Sequence, residues 1–347
     1  MLDNFNLLVQ RDPQNALGVA GDEWKQLKFE AEVLDSEHDG REIHNIVIAG
    51  MGGSALAALI AKKWLENEIS QPFEIIRDYH LPNYISQNTL VIASSYSGNT
   101  EETLAALEQA QNIGAQIATI SSHGKLENIA KSHQIAHVKL PEGLQPRMAV
   151  FYNLRALVKI LVNFNLVSEE KYQEIARSAD FLRHETEQWL PSVPAEQNLA
   201  KQIALYSAGR SAVFLSASEF SPVAYKWKIS WNENAKNVSF WNEYPEFNHN
   251  EFLGWSAQPV EKLFAIFNLR SSFENPQIAK RFRISDALLE GKRPTAREIE
   301  LQGATPLEQM LWGSILADFA SIYLAILNNE NPTPVELIEK LKVELVK

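Results

Sequence analysis

A short β-branched run that breaks at a glycine turn and restarts as an alanine- and leucine-rich helix constrains this chain more than any other feature. Asn45 to Ala49 (NIVIA) leads into Gly50-Met51-Gly52-Gly53-Ser54 and then into ALAALIAKKWL. A strand that is apolar on both faces needs cover on both sides, and a helix entering directly from a glycine turn supplies part of it. Strand, turn and helix here open a parallel α/β unit.

The unit recurs. PFEIIRDYH (72–80) and TLVIASS (89–95) predict a second and a third strand, the latter followed by YSGNT and the helix EETLAALEQAQNIG (101–114). AQIATISS (115–122) predicts a fourth strand, with a helix over 125–132, and IAHVKLP (135–141) a fifth. After the turn-rich connector PEGLQPR comes a long helix over 148–166. Strands alternating with helices imply a mostly parallel sheet flanked by helices, an α-β-α sandwich. Residues 168–195 are polar and helical, and PSVP (191–194) marks a linker. A second α/β pattern follows, with strands at SAVFLSA (211–217) and KLFAIFNLR (262–270). Its helices are FSPVAYKWKISWNENAK (220–236), an apolar stretch over 307–327, and the amphipathic PVELIEKLKVELVK (334–347). Phe220, Val223, Trp227 and Trp231 fall on one face of the first of these. The 347 residues, 45% hydrophobic, suit two domains at roughly 100–200 residues each. The expected organisation is an N-terminal helical segment over 1–40, with GDEWKQLKFEAEVL periodic at three- and four-residue steps, then domains over 41–167 and 195–347.

Composition excludes several classes. With 32 basic and 43 acidic residues the formal charge is −11, and no basic run suited to nucleic acid is present. An acidic chain that binds an anion must build a local positive site from helix N-termini and a few Arg or Lys. The absence of cysteine removes disulfides, thiolate metal sites and cysteine nucleophiles, and fits a cytoplasmic setting. MLDNFNLLVQRDPQ has no signal-peptide pattern, and there is no uninterrupted apolar run of about 18 residues, so no membrane span is expected. No pair of histidines has metal-ligand spacing with an acid nearby.

Four segments carry chemistry. The Gly50–Ser54 turn lets backbone amides approach an anion, fits the loose dinucleotide pattern through Gly50, Gly52 and Ala55, and equally fits a tight packing turn. Ser94-Ser95-Tyr96-Ser97-Gly98-Asn99-Thr100-Glu101-Glu102 places hydroxyls and amides at a helix N-terminus, which reads as a phosphate cradle or as a capping box. PEGLQPR presents Arg147 at a helix start, as an oxyanion partner or a surface residue. Glu233 of NENAK and His249 of PEFNHN, sixteen residues apart among clustered amides, suit proton transfer, although Asn clusters also mark turns.

Taken together, GMGGS, SYSGNTEET, PxGxxPR, NENAK, PExNHN and IEKLK resemble the bifunctional phosphoglucose/phosphomannose isomerase family of the sugar-isomerase (SIS) superfamily, over nearly the whole chain from about residue 40. The resemblance implies two SIS domains and interconversion of glucose 6-phosphate with fructose 6-phosphate, extending in the family to mannose 6-phosphate, with neither metal nor cofactor. It places the phosphate on Ser54, Ser95, Ser97 and Thr100. It assigns the enediolate to Arg147, supported by the Gly52 and Gly53 backbone. Glu233 becomes the base that moves a proton between C1 and C2, and His249 and Lys342 assist ring opening, with Lys340 two residues away. In the family this His comes from the partner subunit, so a homodimer is implied. Val335 occupies the position where members often carry a Thr that accommodates both C2 epimers. Two other readings are weighed against it. A non-catalytic SIS sensor would keep SYSGNT and lose Glu233 and His249. A dinucleotide-dependent oxidoreductase would use the Gly50 turn and Asp78, and would leave the second loop and the NENAK–PEFNHN pair without a role.

Overall fold

The computed structural model describes residues 1–257 and 263–345. The chain opens with three short helices, α1 (Phe5–Arg11), α2 (Ala16–Gly21) and α3 (Glu23–Gln26). The predicted helix over GDEWKQLKFEAEVL stops at Gln26. Beyond it Leu27 and Ala31 are buried; turn bonds run as far as the Phe29 N–H, and from there side chains, not a continued helix, take up the backbone groups of Phe29 and Ala31. The Ala31 N–H donates to the Tyr172 hydroxyl at 2.8 Å, and the Phe29 carbonyl accepts from Arg155 at 2.8 Å. Leu34 pairs with His137 as an isolated antiparallel bridge. Every-fourth apolar residues were satisfied by an extended segment pinned at intervals, and the helix was not needed.

The chain divides into two compact units. One is Glu23–Phe181; the other combines Met1–Asp22 with the chain from Leu182 onward.

The Glu23–Phe181 unit holds β1 (Asn45–Gly50), β2 (Phe73–Ile76), β3 (Thr89–Ser94), β4 (Gln116–Ser121) and β5 (Ala136–Lys139), all parallel in the order β2-β1-β3-β4-β5. Its helices are α4 (Gly52–Trp64), α5 (Glu101–Ile113), α6 (Lys125–His133) and α7 (Val150–Asn163). The unbroken apolar runs of β1 and β3 follow from cover on both faces. Ala106 and Ala110 of α5 pack on Val47, Ala49 and Val91. The chain leaves β1 for one neighbour, β2, and returns to the other, β3, so a topological switch point falls between β1 and β3. In open α/β sheets the ligand crevice lies outside the strand carboxyl ends at that point.

The unit boundary falls within α8 (Glu169–Glu187), and the second unit goes on with α9 (Leu199–Ser207), β6 (Ser211–Ala217), α10 (Ser221–Glu233), β7 (Ser239–Tyr244), α11 (Glu251–Gly254), β8 (Phe264–Arg270), α12 (Pro276–Leu288), β9 (Arg297–Glu300), α13 (Pro306–Leu327) and α14 (Glu336–Leu345). Its sheet is also parallel, in the order β7-β6-β8-β9, which repeats the β2-β1-β3-β4 core of the first. The expected face of α10 is buried: Phe220, Val223, Trp227 and Trp231 are all at 1% exposure or less. Phe214 of β6 packs between Trp231 and Phe267, with ring centroids at 4.9 and 5.6 Å. α13 is long and apolar enough to cross a membrane, but 94% of its apolar window is buried within the protein and it carries Asp318 in an ion pair, so it reads as a core helix. Gln258–Lys262 and Val346–Lys347, at the ends of two predicted elements, lie outside the described residues.

Candidate active site

The carboxyl ends of β1 and β3 are side by side, with Gly50 in register with Ser94. A helix leaves each of them, α4 from the GMGGS turn and α5 from the SYSGNT loop. Neither Met51 nor Thr100, their N-caps, makes a side-chain capping bond. The first N–H groups of a helix have no partner within it, so two such ends facing one crevice are suited to an anion. The capping-box reading of SYSGNT therefore fails on geometry. The Thr100 hydroxyl turns to Ser95 instead, with 2.7 Å between the oxygens. Ser54 and Ser95 are buried and Ser97 half-buried.

Backbone contacts hold these loops in place. A Cβ on Gly98, whose φ is +67°, would sit 1.7 Å from the His123 carbonyl oxygen. A Cβ on Gly53 would sit 2.2 Å from the Pro146 carbonyl oxygen and 3.3 Å from the Arg147 Cα. Glycine at 53 thus lets the PEGLQPR connector settle on the turn, bringing Arg147 to the same edge of the sheet. Arg147 is 3% exposed, and its Nη1 lies 3.4 Å from the Gln145 Oε1. The bland reading of a surface arginine does not describe it.

Two residues in this unit were given no role by the sequence. The Tyr96 hydroxyl donates to the Pro141 carbonyl at 2.8 Å and accepts from the Leu144 N–H at 3.1 Å, pinning the connector that ends in Arg147. Burial pushes the Tyr96 phenol pKa up, so the donor keeps its proton. Asn153 of α7 is 1% exposed; its Oδ1 accepts from the hydroxyls of Ser54 at 3.4 Å and Ser94 at 3.3 Å. One amide therefore ties both loops together. Asn153 lies inside a helix with an ordinary apolar pattern, where nothing local marks it.

The second unit has a topological counterpart of the SYSGNT loop after β8, Ser271-Ser272-Phe273-Glu274-Asn275, and there the polar groups are already used. Ser271 donates to Gln309 at 2.6 Å, and Gln309 donates to Ser272 at 2.9 Å. Asn275 caps α12, whose first residue is proline. The Glu274 carboxylate lies in the loop and accepts from the Arg270 Nε at 2.9 Å. A loop that holds its own carboxylate is poorly suited to a second anion.

Glu233, His249 and Lys342 all belong to this second unit, and the hydroxyl loops belong to the first. Glu233 ends α10 and is half-buried. Three residues one turn apart fix that helix end: Lys226, Ser230 and Asn234 all bond to buried Asp318 of α13. Lys226 lies at 2.6 Å, Ser230 at 2.8 Å and Asn234 at 3.4 Å. His249 is exposed at the end of a short 3-10 turn, Glu246–His249. Phe247 is buried beneath it, and Asn248 is held by Ser285 at 2.8 Å and Arg281 at 3.1 Å. Glu233 precedes β7 and His249 follows it. Six strand residues, about 20 Å of chain at ~3.3 Å each, separate the sheet edges they occupy. The structure does not bring these two together within the unit. Lys342 is exposed on α14 and pairs with Glu339 at 2.8 Å; Lys340 is exposed as well. Asp78 is exposed, its Oδ1 accepting from the next N–H at 2.6 Å. Among the described residues no group of three or more His, Cys, Asp or Glu side chains could hold a metal ion.

Comparison with known proteins agrees with this layout. Residues 41–157 match the SIS domain family, and residues 196–345 match the bacterial phospho-glucose isomerase C-terminal SIS domain. A bifunctional phosphoglucose/phosphomannose isomerase of Caldicellulosiruptor bescii is 35% identical over 308 residues, 88% of this chain and 90% of that protein. A protein of the same description from Aquifex aeolicus is 32% identical over 303 residues, 87% and 90% of the two chains. In fold, the chain is similar to the crystal structure of a glucose-6-phosphate isomerase like protein from Thermus thermophilus, with a TM-score of 0.65 at 20% identity and 98% of both chains covered. With two SIS-type sheets and full-length relatives above 30% identity, this chain belongs to the bifunctional phosphoglucose/phosphomannose isomerase family.

Proposed function

We propose that this protein is a cytoplasmic aldose–ketose isomerase that interconverts glucose 6-phosphate, and mannose 6-phosphate as the second aldose, with fructose 6-phosphate. The observation that carries the reading is the pair of uncapped helix N-termini, lined by buried hydroxyls and tied by Asn153, at the β1/β3 switch point. That arrangement suits a phosphate dianion without a metal.

Ser95, Ser97, Thr100 and Ser54, with the amides of their loops, hold the 6-phosphate. Glu233 removes the C2 proton of the open-chain aldose to give an enediolate, the O2 hydroxyl proton passes to O1, and the same carboxyl returns its proton to C1 as O2 becomes the ketose carbonyl. Arg147 and the Gly52–Gly53 backbone offset the charge that develops on the oxygens. No atom is gained or lost, so no redox partner is required. The position of Glu233 at a half-buried helix end, locked by four polar side chains, supports its role as a positioned base.

Ring opening falls to His249 and Lys342. The separation of Glu233 from His249 by the length of β7, with His249 exposed, favours supply of His249 by a second copy of the chain, and hence a homodimer. The test is conversion of fructose 6-phosphate by the purified protein, with glucose 6-phosphate and mannose 6-phosphate measured separately. Formation of an aldose phosphate is expected. A protein that gains thermal stability from hexose phosphates but converts none of them would be a sensor, and the isomerase reading would be wrong.

A further inference from the structure

Lys236, the last residue of NENAK, has a role that its place in a turn does not explain. It lies in the left-handed region with φ of 51°, at the end of α10, where the Asn237 N–H closes back on the Trp231 carbonyl at 3.2 Å. Glycine is the usual residue for that backbone at a helix terminus, because a side chain there is strained. The lysine side chain folds back over the helix end. Its ammonium donates to the carbonyl of Glu233 at 2.9 Å and lies 3.4 Å from that of Asn234. It also donates to the carbonyls of Asn331 at 2.7 Å and Pro332 at 3.2 Å. Those two residues begin the turn that enters α14, the helix of Lys342.

We propose that Lys236 is a positioning residue that joins the end of the base-bearing helix to the start of the segment bearing Lys342. One ammonium, within 3.4 Å of four carbonyl oxygens from two segments distant in sequence, fixes where the Glu233 backbone ends and where α14 begins. The charge also lies at a helix C-terminus, where a cation is favoured. A glycine would relieve the backbone strain and lose the link, so positioning and strain predict opposite outcomes for the same substitution.

The inference rests on the isomerase reading. The experiment compares Lys236→Gly, Lys236→Met and Lys236→Arg in the full chain, with kcat and KM for fructose 6-phosphate and the melting temperature measured for each. Positioning predicts that Lys236→Gly melts at or above the wild-type temperature while kcat falls about tenfold or more, as small displacements of a catalytic group do. KM should stay within about twofold, because the phosphate-holding hydroxyls are on other residues. Lys236→Arg should recover most of kcat and Lys236→Met should not. In a Glu233→Gln background Lys236→Gly should have little further effect. Wild-type turnover by Lys236→Gly would overturn the proposal. So would a loss of kcat that tracks a lower melting temperature across all three variants, since the role would then be structural. A wild-type protein with no isomerase activity would instead remove the reading beneath it.

Discussion

Ser95 and Thr100 share one hydrogen bond of 2.7 Å at the mouth of the β1/β3 crevice, and in the proposed reading both turn to the phosphate. A hydrogen bond to a charged group is worth about 1.5–3 kcal/mol, so Ser95→Ala should raise KM for fructose 6-phosphate roughly 10- to 100-fold and change kcat little. Steady-state kinetics check this. Another residue sets a pH response. His137 on β5 is buried; its Nδ1 meets the Thr119 hydroxyl at 2.8 Å, and its Nε2 has no hydrogen-bond partner among the described residues. Burial lowers its pKa, against a smaller opposing effect of Glu127. The unfolded chain takes up that proton near pH ~6.5 and the folded chain only at lower pH. The stability from His137 is therefore complete above that pH and is lost as pH falls through it. Urea midpoints at pH 7.5 and 5.5 should differ in the wild type and differ less in His137→Gln. The residues proposed for chemistry could be named from sequence because their motifs are local: each hydroxyl, Arg147 and Glu233 lies within a short string. Tyr96, Asn153 and Lys236 act through partners 45 to 99 positions away, and no local pattern reveals such pairings.

At the scale of elements, α10 and α13 are joined by one buried carboxylate. Asp318 is fully buried and receives Lys226 at 2.6 Å, with Ser230 at 2.8 Å. Removing one partner of such a pair leaves an uncompensated buried charge, at a cost of about 3–5 kcal/mol. Asp318→Asn should lose about that much by urea unfolding, and Asp318→Leu combined with Lys226→Met should lose less than Asp318→Asn alone. The apolar face of α10 and strands β1, β3, β4 and β6 were readable because buried parallel strands and one-sided helices leave strong periodic patterns. β7 was not: SFWNEY mixes polar and aromatic residues because it is an edge strand, with Phe240 and Trp241 exposed. β9 (REIE) escaped for the same reason, having one buried residue. The N-terminal stretch was overread as helix because its spaced apolar residues anchor an extended chain to Tyr172, Arg155 and His137.

At the scale of the whole molecule, two sheets share one topology and differ in what their loops leave available. The loop after β3 keeps its hydroxyls at an uncapped helix end, whereas the loop after β8 ties its own to Gln309, caps its helix with Asn275 and holds the Glu274 carboxylate. The domain pattern was legible from alternating elements; this inequality was not, because SSYSGNT and SSFEN look alike until their partners are known. The proposed assembly is testable through His249. If His249 acts in the site of a second copy, Glu233→Gln and His249→Ala homodimers are each inactive, but a reassorted mixture contains heterodimers with one intact site. An equal mixture should then recover about a quarter of wild-type turnover, as expected for an isologous two-fold assembly. A mixture that stays inactive would place His249 in the site of its own chain.

The most direct test of the account is turnover of fructose 6-phosphate by Glu233→Gln, with binding of the substrate followed separately by calorimetry. The account predicts that binding persists while kcat falls by roughly 10²-fold or more, the loss expected for a positioned base. Turnover near the wild-type rate in a variant that binds normally would contradict it and move the proton transfer to another residue.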